Sequence, residues 1–483
     1  MRSRQRRPEV GIAGLFALLC GCAVGPDFVR PEPPPTPGYT PEPMPTQLAP
    51  AAGGPEQSLA LAHEISARWW ELFGSGSLDE VVARAIGASP TLASARATLA
   101  QAQESVAAAR GALFPQLDLG SQVDRAHVAG LRSDTPASTT TLYSVGPSVS
   151  YLIDVFGVVR RSVEQQAALA ELQRYELAAA WLSLTGNTVG ESISIASLRA
   201  QIAAVEDVVA DDEQNLALVE RKFTAGKAAR VDVLTAETQL ASDRTQLPPL
   251  RQALAAARDA LSVLAGELPA EWSPPDFTLE ELELPRELPL SLPSQLVRQR
   301  PDILASEAQL HAASAAIGVA TAELYPSFTL SGSVAQQALE ASSFLTAGGA
   351  AWALAAQAAV PLVHGGTLQA QRRGAIDAYQ ASLADYEQVV LQAFQQVADV
   401  LRALAHDAEL VDAQHALLDA AREALALQRK SYAAGRTDLL QLLDAQRSYE
   451  QARLGFARAQ GQRLGDTAEL FVALGGAWWQ ASI

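Results

Sequence analysis

The sequence predicts a mainly α chain with a smaller β component, built by internal duplication. Three observations carry that prediction. Two very long proline-free segments run over roughly 158–224 and 367–433. Short stretches ahead of each alternate between apolar and small or polar residues. A set of landmarks then recurs at one nearly constant spacing.

The duplication is read from those landmarks. Ser89-Pro90-Thr91-Leu92, reaching Leu113-Phe114-Pro115, matches Arg300-Pro301-Asp302-Ile303, reaching Leu324-Tyr325-Pro326, at an offset of 211. Leu99/Leu310, Val106/Ile317 and Leu119/Leu330 fall on that offset. At 209, Phe223-Thr224-Ala225-Gly226-Lys227 matches Tyr432-Ala433-Ala434-Gly435-Arg436, and Gly157 matches Gly366. The repeats are expected over 61–266 and 291–476, joined by a linker rich in proline and glutamate over 267–290, with a tail at 477–483.

Each repeat opens with an Ala-rich helix, 78–113 or 292–324, stopped by a proline just beyond it. Strand pairs follow, 116–127 with 141–154 and 327–336 with 351–363. In the first pair Tyr143, Val145, Pro147, Val149, Tyr151 and Ile153 alternate with Ser144, Gly146, Ser148 and Ser150. In the second, Trp352, Leu354, Ala356, Ala358, Val360 and Leu362 share one parity. Period two makes strands, and about 10 residues is the length a tilted strand needs to cross a bilayer. Alternation alone also fits a half-buried soluble sheet. Pro147 predicts a bulge or an interrupted ladder. Residues 128–140 and 337–350 read as loops.

As single helices, 158–224 and 367–433 would each extend about 100 Å. Leu198, Ile202, Val205 and Val209, and again Val390, Phe394, Val397, Leu401 and Leu404, recur at alternating spacings of four and three. That is coiled-coil packing. Gly226 and Gly435 stop these helices. Return helices follow at 230–265, kinked by Pro248-Pro249, and at 438–474.

The N-terminus reads as a secretory signal over 1–21. Arg2, Arg4, Arg6 and Arg7 precede a short apolar run that ends Leu19-Cys20-Gly21-Cys22, which resembles a bacterial lipobox with Cys22 as the acylated residue. Residues 22–60, dense in proline, then form an extended tether from the anchor. Cys20 and Cys22 are the only cysteines, so no disulfide and no thiolate metal site is expected in the mature chain. Removing the signal takes away four arginines and Glu9, moving the net charge from −17 to −20. Such acidity argues against nucleic acid as a partner. The six histidines are scattered, and neither a P-loop nor a dinucleotide glycine motif occurs. No catalytic residues and no cofactor beyond the lipid on Cys22 are expected.

Four crossing strands cannot close a barrel, and an open edge in lipid leaves backbone groups unsatisfied. Strands that cross a membrane must therefore be pooled by several copies. At this point the chain resembles the TolC-type outer-membrane efflux factors, in the lipoprotein branch that includes OprM and NodT. The matching residues are Cys22-Ala23-Val24-Gly25-Pro26-Asp27-Phe28-Val29-Arg30-Pro31, Trp69-Trp70-Glu71-Leu72-Phe73 and Tyr151-Leu152-Ile153-Asp154-Val155-Phe156-Gly157. Arg300-Pro301-Asp302-Ile303, Leu442-Leu443-Asp444-Ala445-Gln446-Arg447 and Ala473-Leu474-Gly475-Gly476-Ala477-Trp478 complete the set.

The resemblance implies a TolC-like homotrimer in the outer membrane. Three sets of four strands would make one β-barrel, and the antiparallel coiled-coil helices an α-barrel in the periplasm. It implies a passive exit duct for small molecules, served by a periplasmic adaptor and an inner-membrane RND pump. The turns at Gly226 and Gly435 would lie at the tip farthest from the barrel. There the resemblance assigns a gate to Tyr432, Leu440 and Asp444, and Arg447, one turn from Asp444 in sequence, is a candidate partner for it. Asp232 is a weaker candidate in the first repeat. Two other readings stay open on the residues alone: the exit duct of a type I protein-secretion system, and a non-channel structural lipoprotein with a coiled-coil stalk.

Overall fold

A computed structural model describes residues 23–42, 47, 57–61, 65–129, 137–344 and 347–481. The expected signal, Cys22, and much of the expected tether lie outside them. The chain divides into two compact units. One takes the residues up to Pro31, Thr98–Arg174 and Ala305–Glu387, and the other Glu32–Ala97, Tyr175–Leu304 and Gln388–Ile483.

In chain order the elements are β1 (Ser58–Leu61), α1 (Gly76–Ala88), α2 (Pro90–Gly111), β2 (Gln116–Val128), β3 (Ser138–Ile153), α3 (Val158–Thr224), α4 (Arg230–Arg244) and α5 (Leu247–Leu264). Then come β4 (Glu287–Leu290), α6 (Pro293–Gln299), α7 (Pro301–Ala322), β5 (Ser327–Ala338), β6 (Ala350–Ala359), α8 (Thr367–Ala433) and α9 (Leu439–Ala473). The halves echo each other in length: α2 and α7 have 22 residues each, α3 and α8 have 67 each.

Five expectations need correction. The helix read over 78–113 is two helices, and so is that over 292–324. A prolyl ring forces the residue before it out of helical conformation. Ser89 and Arg300 accordingly sit at ψ 120 and 127, and Pro90 and Pro301 each begin a new helix. The return helix read over 230–265 breaks at Thr245-Gln246. Pro248 and Pro249 lie in the first turn of α5, where a missing N–H leaves no bond unmade. The strand read over 351–363 ends at Ala359, ahead of Pro361, which has no N–H for a ladder. The 267–290 linker ends in β4, which pairs in parallel with β1 at the end of the tether.

In the first unit β2, β3, β5 and β6 form one antiparallel sheet in that order. β2 pairs with β3 without interruption, Leu119 opposite Pro147. The β3–β5 ladder skips Gly146 and Pro147, resuming at Ser148 opposite Ser333. Proline supplies no donor there, and β5 runs so close that a Cβ on Gly146 would lie 2.0 Å from the Val334 carbonyl oxygen. The extended residues from Ala23 dock in the same unit. Val24 N–H donates to the Phe156 carbonyl at 3.0 Å. Arg161 donates to the Val24 carbonyl and pairs with Asp27. Phe28 stacks on His311 with ring centroids 4.4 Å apart.

The second unit buries the aromatic and arginine motifs as a structural knot. Trp69, Trp70 and Phe73 lie in a short 3₁₀ turn and are almost wholly buried. Trp69 stacks on Phe471 and Trp70 packs against Trp181. Arg300 is held by both oxygens of Asp302, by the Ala473 carbonyl and by Gln396. Trp478 donates to the Gln299 carbonyl at 2.7 Å, fastening the tail. Along the hairpins Ile202, Val205, Val397, Leu401 and Leu404 are buried, as a seam at coiled-coil spacing requires.

Candidate functional site

Both long helices end in the same way. The Lys227 N–H reaches back to the Lys222 carbonyl at 2.8 Å, and the Arg436 N–H to the Ser431 carbonyl at 2.9 Å. Gly226 and Gly435 stand between at φ 70 and 69, the left-handed residue of a six-to-one helix stop. The return helices are capped differently. Asp438 accepts the Gln441 N–H at 2.9 Å from the N-cap position. The first half has Ala229 there, and Asp232 accepts the Ala229 N–H at 2.8 Å instead.

The two turns pack on one apolar cluster, with Val219, Val233, Leu425, Leu439, Leu442, Leu443 and Tyr432 at its centre. Tyr432 is therefore part of the core and only 7 % exposed. Burial, with the Asp232 charge adding to it, raises its phenol pKa. Lys222 stands over its ring, Nζ 3.5 Å from the centroid, and donates to its backbone carbonyl at 3.4 Å. Leu440 is 65 % exposed, and Asp444 and Arg447 are exposed as well. The expected Asp444–Arg447 ion pair does not form among the described residues. Both side chains are solvated, and the Arg447 charge acts on Glu450 instead, favouring its ionised form. The structure thus brings Tyr432, Asp232 and both glycines to one locus and leaves Leu440 and Asp444 facing outward beside it.

The sheet of the first unit has two unlike faces. Rows across it place Leu117 beside Val149, Gly332 and Leu354, and next to them Leu119 beside Pro147, with Val334 beside Trp352. Leu117, Leu119, Val123, Val334, Trp352 and Leu354 are each more than half exposed in the single chain. The opposite face carries Gln116, Asp118, Gln122, Ser148, Ser150, Ser331, Ser333 and Gln357. Among the described residues β2 and β6 each pair on one side only. No helix among the described residues is long and apolar enough to cross a membrane, and none of their His, Cys, Asp and Glu groupings could hold a metal ion.

The sequence model of the family described as "Outer membrane efflux protein" matches residues 81–267 and 292–476. The chain belongs to that family. This efflux protein is 30 % identical over 454 residues to the pyoverdine export outer membrane protein OpmQ of Pseudomonas aeruginosa, covering 91 % of this chain and 94 % of that one. It is 27 % identical to the probable outer membrane lipoprotein SilC of Salmonella typhimurium, with 97 % and 98 % covered. The solved structure of the outer-membrane channel OprN superimposes at a TM-score of 0.85 with 26 % identity, covering 95 % of this chain and all of that one. The protein is thus an outer-membrane efflux channel component extending into the periplasm, and its family and fold are those of a channel.

Sequence reading of this efflux protein missed Lys222. Its second-half counterpart at the 209 offset is Ser431, so the repeat offers no signal for it. It also missed the buried acids of the hairpins, because Asp212 and Asp407 look like ordinary helical charges until their surroundings are known.

Proposed function

We propose that three copies pool their sheets into one barrel, apolar face to lipid and polar face to water, as the passive exit duct of a tripartite efflux pump. The observation that carries this is the four-stranded sheet with unlike faces and two free edges. In lipid each free edge exposes unpaired backbone groups, and pairing β2 of one copy with β6 of the next removes all of them. Energy comes from an inner-membrane pump, of the RND class, reached through a periplasmic adaptor. Acyl chains on Cys22 add a second anchor. The docking of Ala23 to Arg30 on the sheet-bearing unit supports this, since it starts the described chain beside Gly157, just past the end of β3.

At the turns, Leu440 supplies an apolar ring that closes by dewetting, and Asp444 an acidic ring that favours cations. Their exposure beside a buried cluster supports that role. The duct test is reconstitution of the purified protein in planar bilayers, with its mass measured in detergent. Cation-preferring current from a trimeric species is expected. A closed monomer, or a protein that passes no current under any condition, would overturn the reading. Mass spectrometry of the mature protein should find Cys22 acylated, and an unmodified Cys22 removes the anchor.

A further inference from the structure

Four carboxyl groups of the helical hairpins take no part in the gate or the sheet. Asp212 on α3 and Asp407 on α8 are 2 % and 3 % exposed. In each, Oδ1 accepts an amide hydrogen from a glutamine of α9, Gln446 to Asp212 and Gln462 to Asp407. In each, Oδ2 is buried with no hydrogen-bond donor. A bare carboxylate oxygen in such a place is costly.

Each of these acids faces a second one across its own hairpin. Asp243 on α4, 2 % exposed, meets Asp212, and Asp466 on α9 meets Asp407. Two carboxyl groups in contact cannot both ionise. One proton between them turns repulsion into an O–H···O bond and gives the orphaned oxygen its partner.

The surrounding charges offer no substitute. Asp211, next to Asp212 on α3, is paired with Arg429 of α8. Glu450 of α9, also 2 % exposed, accepts from Gln246 and adds negative charge. Asp243 accepts from Gln239 at 2.8 Å. Arg447 acts on Glu450. Beside Asp407 the cation in reach is Arg463, yet its Nε and Nη2 donate to Gln57 at 3.1 and 3.0 Å. Burial first, and the facing acid second, push the Asp212 and Asp407 carboxyls up to about 8. Burial and the Asp243 charge push Glu450 to about 7. A cleft of about 630 Å³ lined by Asp243, Gln246 and Glu450 connects the first pair to solvent.

We infer that each half of the protein carries a shared-proton acid pair, Asp212–Asp243 and Asp407–Asp466, that staples its long helix to its return helix, so that the hairpins tighten as the surrounding pH falls and loosen as it rises. The sign follows from linkage. A carboxyl whose folded-state pKa lies above its unfolded value binds more proton when folded. Its contribution is fully present below about 3.8 and is lost as pH rises through about 8. Asp212 lies about four turns before Gly226, which stops its helix, so loosening there reaches the turn. The inference does not depend on the assignment of Leu440 and Asp444 to a gate.

The test uses full-length protein and two readouts. Infrared spectra in heavy water should show a protonated-carboxyl C=O stretch persisting at neutral pH and titrating away near pH 8. The component titrating near pH 8 should shrink in Asp212→Asn and in Asp407→Asn and vanish in the double variant, which keeps only the part that Glu450 contributes and that titrates near 7. Amide exchange, corrected for its intrinsic pH dependence, should show protection around residues 212, 243, 407 and 466 falling about tenfold between about pH 6 and 9 in the wild type. It should stay flat in the double variant. A wild-type spectrum without that band at neutral pH overturns the inference with no variant needed. So does a component titrating near pH 8 that the double variant keeps, or a protection loss that it shares in full.

Discussion

Leu440 and Asp444 point away from the cluster that holds Leu439, Leu442 and Leu443, so either can be replaced with the hairpin's packing intact. Leu440→Ala and Asp444→Ala should each change stability by no more than about 0.5 kcal/mol. Leu440→Ala should raise single-channel conductance. Asp444→Ala should lower cation preference, by an amount that shrinks as salt screens the ring. Assembled variants that match wild type in both conductance and reversal potential would return these residues to packing and surface charge. Tyr432 is a poor probe of the gate, because truncating a buried aromatic ring costs about 3–5 kcal/mol in packing alone. Lys222→Met is the better one. It removes a cation over the Tyr432 ring, an interaction of about 0.5–2 kcal/mol, and keeps the aliphatic stem. Faster exchange of the amides around 222 and 432 is expected, and unchanged exchange would show that the contact holds nothing.

Among the elements, the sheet offers the sharpest contrast. Leu354 and Ser333 are one residue apart in register but on opposite faces, because Leu354 pairs with Gly332 and Ser333 with Ala353. Leu354→Arg on the apolar face should cost about 2–4 kcal/mol near the bilayer midplane and deplete assembled protein in membranes. Ser333→Arg on the polar face should assemble normally and shift selectivity toward anions. Equal assembly of the two variants would mean that the apolar face does not meet lipid. The helix stops make a second element-scale case. Gly435→Ala places a Cβ in the left-handed region at a cost of about 1–2 kcal/mol. It meets no neighbour within 4 Å, so the loss should appear as fraying of the turn and not as repacking.

At the scale of the whole molecule, the proposed trimer rests on the sheet. Among the described residues β2 and β6 leave two edges open, and large apolar side chains cover one face of the sheet with nothing to bury them. Cysteine pairs introduced on β2 and β6 should give covalent trimers and no larger ring, against a background of only Cys20 and Cys22 in the native chain. Dimers without trimers, or no cross-link at any register, would contradict closure by three copies.

The sequence by itself determined what local physics decides. Period two marked the strands, spacings of four and three marked the seams, and Gly226 and Gly435 marked the helix stops, because each of these acts within a turn or a few residues. Prolines were legible but easily misweighed. Pro90 and Pro301 restart helices, where the alanine-rich run suggests one continuous helix, since the ring's effect falls on the residue before it. Only the tertiary structure decided what depends on residues far apart in the chain. The register that sets Leu117 beside Val149, Gly332 and Leu354 joins positions from both repeats. Lys222 meets the Tyr432 ring across two helices, and the Asp444–Arg447 pair does not form despite its helical spacing. The orphaned oxygens of Asp212 and Asp407 were illegible for the same reason. Burial and the facing acid give these carboxyls their chemistry, and both come from the opposing helix.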